Sequence, residues 1–279
     1  MPTKTFADFS EIEQEIKQNS PNVIYKYRNW VEATHKDVVT KNQLWFSHPF
    51  DLNDPKDVRP DYDYDINEIE SEAFYRKLIN NTPPQYLHLS QPEIEEIGML
   101  QWQKIKSDPH NHFSLNRKEI LSNRKRFDQY GIFSTSANSL DTLTWETYGD
   151  NHQGYCIGFN TVDLARNLNC TCGIVTYSDS PFPYRFLDDK PDLDVLLYKK
   201  KSWEYEEEFR FLTLGIDIYT SRLRTVNPDT IAEVVLGHKI SKDNEMEILA
   251  IVKQRYGAEQ PVYKVECSSI GLLSKTRIQ

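Results

Sequence analysis

Two glutamates and an arginine stand at alternate positions of one short segment, at Glu206, Glu208 and Arg210. In a β-strand alternate side chains share a face, and the intervening Phe209 and Phe211 then point to an opposite, apolar face. Two carboxylates about 7 Å apart on one strand repel each other, so the charged face needs an explanation. One explanation is a solvated sheet face on which Arg210 offsets the repulsion. The other is a polar cleft floored by the strand, in which a glutamate acts as a base or stabilises positive charge.

Two further polar groups lie next to predicted strands. The loop Asn53-Asp54-Pro55-Lys56-Asp57 follows the predicted strand 43–47, and its Asn, Asp and Pro residues disfavour regular structure. The loop is either a capped structural turn or a ligand loop at a strand end. The hydroxyl residues Ser134–Ser136 end a predicted strand at 131–136. Their hydroxyls can bind a ribose or a phosphate, or they can cap the helix that follows.

Aromatic and histidine residues are the remaining candidates. Trp145 and Tyr148 share one face of a predicted helix at 142–149, which is either a core face or a platform for a cofactor ring. His110 and His112 are compatible with a metal site in a loop, but a surface turn explains them better. The sequence therefore predicts no metal site.

The composition indicates a folded, acidic protein. The chain has 279 residues, of which 12% are aromatic, and a net charge of −9 with a pI of about 5.4. The negative charge opposes non-specific binding to a nucleic-acid backbone, although a local basic groove is compatible with it. No apolar run has the length of a membrane span or the form of a signal peptide, so we expect a cytoplasmic protein with no membrane partner. Four irregularly spaced cysteines favour reduced thiols over structural zinc.

The order of the predicted elements indicates an α+β fold. Strands are predicted at 23–28, 43–47, 131–136, 154–159, 173–177, 204–214, 231–237 and 261–266, and helices at 7–18, 30–41, 142–149, 189–202 and 241–256. Charged helices are predicted at 65–80, 91–107 and 115–128. We therefore expect a single domain over 1–279, with a mixed, mostly antiparallel sheet, surrounding helices, and a helical insertion or lid at 65–130.

Several spaced motifs resemble one known family. These motifs are Tyr25-Lys26-Tyr27-Arg28, Phe46-Ser47 with Asn53-Asp54-Pro55 and Asp57, Phe133-Ser134, Trp145 and Tyr148, Gly154 to Phe159, Trp203-x-x-Glu206-x-Glu208-x-Arg210 and Gly237. In this order they are similar to the large bacterial family catalogued as domain of unknown function 2971. The similarity runs from about residue 23 to 266 and leaves out the helical block. It implies a shared fold but no activity.

A more distant resemblance implies chemistry. Arg28, the Ser134–Ser136 strand end and the pair Glu206-x-Glu208 resemble, in this order, the R-S-E branch of ADP-ribosyltransferases. That likeness implies that Arg28 contacts the phosphates of NAD and that Ser134 holds the nicotinamide side. It also implies that Glu208 is catalytic and stabilises the oxocarbenium ion as nicotinamide leaves. Glu206 would then orient the acceptor or a ribose hydroxyl.

These inferences define a predicted site for NAD or a related small-molecule nucleotide. The predicted catalytic residues are Glu208 and Glu206. The predicted cofactor-binding residues are Arg28, Tyr27, Ser134, Trp145, Arg210, Asn53 and Asp54. Tyr25, Tyr27 or Trp145 would stack on nicotinamide. The identity of a macromolecular acceptor is left open.

Two alternatives belong to other functional classes. In a metal-dependent nuclease, four acids would hold Mg²⁺, with Lys200 or Lys201 stabilising the transition state; the acids are Asp54, Asp57, Glu206 and Glu208. In a non-catalytic module, the same cleft would bind a nucleotide or peptide without turnover. The three hypotheses share the cleft and differ in its chemistry.

Overall fold

The structure, a computed structural model, describes residues 9–81, 83–86, 88–114, 124–188, 191–214 and 221–279. Its strands are β1 (Val23–Arg28), β2 (Gln43–Trp45), β3 (Tyr62–Tyr64), β4 (Tyr130–Ser136), β5 (Tyr155–Asn160), β6 (Thr171–Ile174), β7 (Thr176–Tyr177), β8 (Phe182–Tyr184), β9 (Tyr198–Lys199), β10 (Glu208–Leu214), β11 (Leu223–Thr225), β12 (Ile231–Leu236), β13 (Val262–Cys267) and β14 (Leu273–Arg277).

One eight-stranded sheet organises the molecule. Its strand order is β14-β13-β12-β5-β1-β4-β10-β6, and in the described chain its only parallel pair is β12 with β13. The remaining strands form two-stranded pairs, β11 with β2, β3 with β8 and β7 with β9. The predicted α+β fold with a mixed, mostly antiparallel sheet is confirmed.

Helices cover the sheet and form a separate block. They are α1 (Phe9–Asn19), α2 (Ala33–Lys41), α3 (Ile66–Ile69), α4 (Glu72–Asn80), α5 (Gln91–Ser107), α6 (Thr142–Tyr148), α7 (Thr161–Leu168), α8 (Pro191–Val195) and α9 (Lys242–Tyr256). Residues 109–114 are also helical. None of the helices within the described ranges is long and apolar enough to cross a membrane.

The main apolar core lies between the sheet and four helices. Helices α1, α2, α7 and α9 bury aliphatic side chains against Phe133, Phe159, Phe209 and Phe211 of the sheet. Because side chains alternate along a strand, the neighbours of these phenylalanines point to the opposite face. There a smaller aromatic cluster around Trp145 leaves room for polar groups. Strand β10 thus carries the core residues Phe209 and Phe211 on one face and Glu208 and Arg210 on the other.

The helical block 66–114 packs around a core of its own. Ile69, Phe74, Ile105 and Phe113 are buried there, with Tyr64, Trp102 and Phe186 against them. Helix α5 begins at a capping box, in which the backbone N–H of Ser90 donates to Oε2 of Glu93 at 2.8 Å. Most of the predicted helix 115–128 lies outside the described residues, and residues 124–127 form a 3₁₀ turn.

Two predictions around the acidic segment are wrong. The predicted strand 204–214 begins only at Glu208, because residues 201–206 form a 3₁₀ helix that ends at Glu207 with φ 44°. The predicted helix 189–202 is replaced by the short helix α8, the strand β9 and this 3₁₀ helix. Residues 189 and 190 lie outside the described chain. As a result, side chains that the sequence does not predict there lie next to the acidic segment.

Candidate functional site

A fully buried arginine organises the site. Arg210 is 0% exposed, and all five of its N–H groups donate hydrogen bonds. Two go to the Asp57 carboxylate at 3.0 and 2.7 Å, two to the Glu208 carboxylate at 2.8 and 3.0 Å, and one to the Leu196 carbonyl at 2.8 Å. A buried guanidinium is stable only when its charge and donors are matched in this way. Arg210 is therefore a structural centre.

A buried lysine joins the carboxylates together. Lys199, on β9, donates to Oε1 of Glu208 at 2.5 Å and to Oε2 of Glu206, and lies 3.5 Å from Oδ2 of Asp57. Burial opposes its charge, but Glu208 and the other two carboxylates outweigh burial and raise the pKa of Lys199. The acids Asp57, Glu206 and Glu208 thus converge on two protein cations, Lys199 and Arg210.

The local backbone explains why both glutamates reach Lys199. Glu206 ends the 3₁₀ helix, Glu207 has a left-handed backbone with φ 44°, and Glu208 begins β10. This turn leaves Glu207 exposed and buries its two neighbours. A non-glycine residue at positive φ is strained by about 1–2 kcal/mol. The strain at Glu207 is the cost of directing Glu206 and Glu208 to the same side.

Glu206 and Glu208 are near neighbours with opposite pKa shifts. Burial, with the nearby Glu208 carboxylate, raises the pKa of Glu206 to about 7. Burial would also raise the pKa of Glu208, but Arg210 and Lys199 outweigh it and hold that pKa well below its usual range. Glu208 is therefore a permanent carboxylate locked between two cations. Glu206 is the one that can exchange a proton near neutral pH.

A tyrosine and an asparagine complete the environment of Glu206. The hydroxyl of Tyr148, at the end of α6, donates to Oε1 of Glu206 at 2.7 Å and accepts from Nδ2 of Asn53 at 2.6 Å. Asp141 is the N-cap of helix α6, and its Oδ1 accepts a hydrogen bond from the backbone N–H of Thr144 at 2.7 Å. The cap and the helix length set where Tyr148 stands.

A second pair of basic side chains comes from β1. The β1–β4 ladder contains, within the described strands, the single pair Tyr25–Ser136. Beyond this pair Nζ of Lys26 donates to the carbonyl of Ser134 at 2.6 Å. Among the described residues, Arg28 donates a single long hydrogen bond of 3.4 Å, to the Tyr27 carbonyl. Neither forms an ion pair with any residue that the structure describes, and burial lowers the pKa of each.

These groups surround one cavity of about 240 Å³. It is lined by β1, β4, the 47–57 loop, α6, Lys199 and the two glutamates, with the residues Tyr25, Lys26, Tyr27, Arg28, Ser47, Asp51, Leu52, Asn53, Asp57, Ile132, Ser134, Thr135, Ser136, Thr144, Tyr148, Lys199, Glu206 and Glu208. Within the described ranges, nothing from the helical block 66–114 lines it. Whether that block acts as a lid stays a prediction.

Glycine is required where the cavity meets the loop after α6. A Cβ on Gly154 would lie 2.2 Å from the Arg28 carbonyl oxygen, closer than any real contact. The preceding residues Asp150, Asn151 and His152 have φ of 53°, 50° and 68°, a left-handed run that Asp, Asn and His tolerate best. This tight loop packs directly against the end of β1. It therefore helps to hold Arg28 at the cavity.

Most of the predicted site residues line this cavity. Arg28, Tyr27, Ser134, Asn53, Glu206 and Glu208 all contribute to its wall. The hydroxyl of Tyr27 donates to the Asn138 carbonyl at 2.6 Å, which fixes its ring. Ser134 stands opposite Arg210 in the β4–β10 register, so both point to the same face of the sheet.

Three predicted residues are not on the cavity wall. Trp145 is 0% exposed, donates from Nε1 to the Ser139 carbonyl at 2.9 Å and packs edge-on against Tyr27, so no nicotinamide can stack on it. Arg210 is buried and fully bonded, so it has no donor left for a ligand. The Oδ1 of Asp54 accepts from the Lys56 backbone N–H at 2.8 Å, as in a capped structural turn.

Sequence reasoning missed Lys26 and Lys199. Lys26 lies between two buried tyrosines in β1, and a charged residue inside a core strand was the available signal. The sequence places Lys199 in the predicted helix 189–202 and offers Lys200 and Lys201 as the candidate cations. In the described chain no group of three or more His, Cys, Asp or Glu residues is arranged to hold a metal ion.

A known protein family matches the part of the chain that contains the acidic segment. Residues 144–211 match the model of the family described as protein of unknown function, DUF2971. The resemblance inferred from the spaced motifs is thus confirmed for this part of the chain, which contains Tyr148, Lys199 and both glutamates. No curated protein and no solved structure matches the chain.

Proposed function

We propose that the cavity binds NAD or a related nucleotide and cleaves the bond between the ribose and its base, passing the ribosyl group to water or to an acceptor. The observation that carries the proposal is that Arg28, Ser134 and Glu206 line one cavity, although they are far apart in sequence. They supply a phosphate-binding cation, a hydroxyl and a proton-exchanging carboxyl group. These are the three kinds of group that the reaction needs.

The charges favour an anionic ligand. Asp57, Glu206 and Glu208 are shared between Lys199 and Arg210. That leaves Lys26 and Arg28 without an acidic partner in the part of the chain that the structure describes. Removing a cation from water without a partner is unfavourable, so a ligand that brings negative charge is stabilised here. A guanidinium matches a phosphate group in a bidentate geometry, which makes Arg28 the first phosphate contact.

Glu206 is the residue that carries the chemistry in this proposal. The C1′–N bond breaks, nicotinamide leaves as a neutral base, and positive charge develops on the ribose. The ionised Glu206 carboxylate stabilises that charge, and then takes the proton of the water or acceptor hydroxyl that attacks C1′. A pKa of about 7 suits both steps because a large fraction of Glu206 is ionised at neutral pH.

Glu208 takes a different role from the one that the resemblance implies. Its two oxygens accept hydrogen bonds from Lys199 and Arg210, and its side chain is 7% exposed. A carboxylate held this way has little capacity to respond to a new positive charge. We therefore assign Glu208 to positioning Lys199, which in turn orients Glu206. Tyr148 is the second positioning residue, since it fixes the other oxygen of Glu206.

The cavity volume limits what enters in this conformation. A volume of about 240 Å³ lies below the range of roughly 300–1,000 Å³ that is usual for sites of drug-sized ligands. It suits one nucleotide half, so the rest of a dinucleotide would extend past the exposed residues Asp51 and Asn53 at the mouth.

Release of nicotinamide from NAD tests the proposal. We expect slow release by the wild-type protein and a loss of roughly 100-fold or more in Glu206→Gln, since general-base and electrostatic contributions of this size are typical. Glu207→Gln is the matched control, because Glu207 is the adjacent glutamate and is exposed. Equal release by wild type and Glu206→Gln would rule out the assigned role. Binding of NAD without release of nicotinamide would show that the cavity binds the nucleotide but does not cleave it.

A further inference from the structure

The interruption between β1 and β4 creates an unusual setting for Lys26. Strands that neighbour each other in a sheet normally bond along their length, but β1 and β4 pair only at Tyr25 and Ser136 in the described chain. Lys26 donates one hydrogen bond across this gap, to the Ser134 carbonyl at 2.6 Å. An amine or ammonium group has further N–H donors, and the side chain lines the cavity. Lys26 therefore has hydrogen-bonding capacity left for a ligand.

The charged groups around Lys26 come from four elements. Arg28 lies on the same strand, Glu208 and Arg210 on β10, Glu206 at the end of the 3₁₀ helix, and His35 on α2. The carboxylates are already bonded to Lys199 and Arg210, so they compensate Lys26 only at a distance. Burial lowers the pKa of Lys26 well below its usual value, and Arg28 lowers it further. In the empty cavity the unprotonated amine is thus strongly favoured relative to an exposed lysine.

We infer that Lys26 couples ligand binding to the uptake of a proton, with a phosphate group of the ligand occupying the gap between β1 and β4. This inference rests on the proposed function in one respect, that the ligand is a phosphate-bearing nucleotide. It does not depend on whether the bound nucleotide is cleaved.

Binding of the phosphate group transfers one proton from solvent to Lys26. A phosphate oxygen approaches Nζ of Lys26, the amine takes one proton from solvent and becomes an ammonium group, and that group donates a charge-assisted hydrogen bond to the oxygen. No other bond forms or breaks. The negative charge of the ligand stabilises a positive charge on Lys26 in the cavity, so the pKa of Lys26 rises on binding. Affinity must then fall as the pH rises, by up to about tenfold per pH unit if a whole proton is taken up.

Calorimetry with ADP-ribose measures this coupling directly. Its phosphates are ionised throughout the neutral range, so a proton taken up on binding goes to the protein. Titration at roughly pH 8 in two buffers of different ionisation enthalpy gives the number of protons taken up. We expect net uptake in the wild type. We also expect proton uptake to persist in Glu206→Gln. This variant lacks the Glu206 carboxyl group, which also titrates near neutral pH.

Two substitutions at one position separate proton coupling from a structural role. Lys26→Met is expected to lose the uptake and to bind roughly 10- to 100-fold more weakly, the usual effect of one charge-assisted hydrogen bond. Lys26→Arg keeps a permanent charge, so it is expected to bind without uptake and with little pH dependence. Lys242→Met, in an exposed ion pair at the start of α9, is the control and is expected to behave as wild type.

The outcomes distinguish this inference from the proposed function. Unchanged proton uptake in both Lys26 variants overturns the inference. It is also overturned if the protein binds neither ADP-ribose nor inorganic pyrophosphate. Binding of pyrophosphate with Lys26-dependent uptake, but no binding of ADP-ribose, supports the anion site and rejects the nucleotide. If ADP-ribose binds with Lys26-dependent proton uptake but NAD releases no nicotinamide, the inference is supported and the proposed reaction is rejected.

Discussion

The hydroxyl of Tyr148 lies 2.7 Å from Oε1 of Glu206 and donates a hydrogen bond to it, while Lys199 bonds the other carboxylate oxygen. The two donors come from different elements, the end of α6 and the strand β9. Together they hold the Glu206 carboxyl group in one orientation, facing the cavity. Its raised pKa results from burial and from Glu208, despite these donors. The site thus combines fixed geometry with a proton that is exchangeable near neutral pH.

Removing the Tyr148 hydroxyl should shift the pH dependence of the reaction. A donor to a carboxylate stabilises the ionised form, so Tyr148→Phe is expected to raise the pKa of Glu206 further. Since Glu206 acts as an ionised base, the rising limb of the pH–rate profile should move up by about half to one pH unit. The profile of nicotinamide release measures this shift. Tyr263→Phe, on β13 and away from the cavity, should leave the profile unchanged.

Replacing Arg210 should destabilise the fold strongly. In Arg210→Met the Asp57 and Glu208 carboxylates stay buried but lose their main cation, which typically costs about 3–5 kcal/mol. Denaturant unfolding measures the change in the free energy of unfolding. Arg166→Met removes surface ion pairs with Asp163 and Glu13, in which the arginine side chain is 52% exposed, and should cost at most about 1 kcal/mol. Equal effects of the two substitutions would contradict the structural role of Arg210.

Glu206→Gln should stabilise the protein at neutral and alkaline pH. The pKa of Glu206 is raised to about 7 in the fold, against roughly 4.3 in the unfolded chain. Below the unfolded value both states are protonated; as the pH rises, the unfolded chain ionises first, so stability falls until the pH exceeds about 7. Glutamine mimics the protonated form and avoids this loss, which we place at roughly 2–4 kcal/mol.

The difference between the two stability curves isolates Glu206. All other titratable side chains are common to both proteins, so their contributions cancel in the difference. The depressed pKa of Glu208 contributes stability that is lost only as the pH falls below its unfolded value of about 4.3. Urea unfolding of wild type and Glu206→Gln between about pH 5 and 8 should therefore give curves that diverge as the pH rises. Parallel curves would mean that Glu206 has an ordinary pKa.

A methyl group at Gly154 should disturb Arg28 through the backbone. In Gly154→Ala the new Cβ meets the Arg28 carbonyl oxygen at 2.2 Å, so the end of β1 must shift. We expect a loss of about 1–3 kcal/mol in stability, as for other overpacked positions, and weaker binding of ADP-ribose. Gly173→Ala is the comparison, because its Cβ meets only the flexible end of Leu197 at 2.9 Å. A well-folded Gly154→Ala with wild-type affinity would show that Arg28 does not need this loop.

The sequence predicted the charged face but not the way in which it forms. Alternation correctly groups Glu208 with Arg210 and puts Phe209 and Phe211 on the core face, since these residues lie in β10. Glu206 reaches the same side by a 3₁₀ turn and the left-handed Glu207, which a period of two does not describe. The predicted strand geometry is therefore right for Glu208. For Glu206 the predicted side is right, but the predicted strand geometry is wrong.

Other parts of the site depend on contacts between distant segments. The helical spacing of Trp145 is equally typical of core and of cofactor contacts, and its packing against Tyr27 decides for the core. Lys199 lies seven residues before Glu206, in a segment whose short elements have no clear period. The separation of β1 from β4 at Lys26 is set by strand pairing, and a single sequence contains no signal for it.

A crystal structure of Glu206→Gln with NAD tests the central claim most directly, because the substitution removes the base while keeping the shape of the site. We expect a phosphate bonded to Arg28, the nicotinamide ribose near Ser134, and C1′ facing the side chain at position 206. NAD bound outside the cavity, or bound with C1′ remote from position 206, would contradict it.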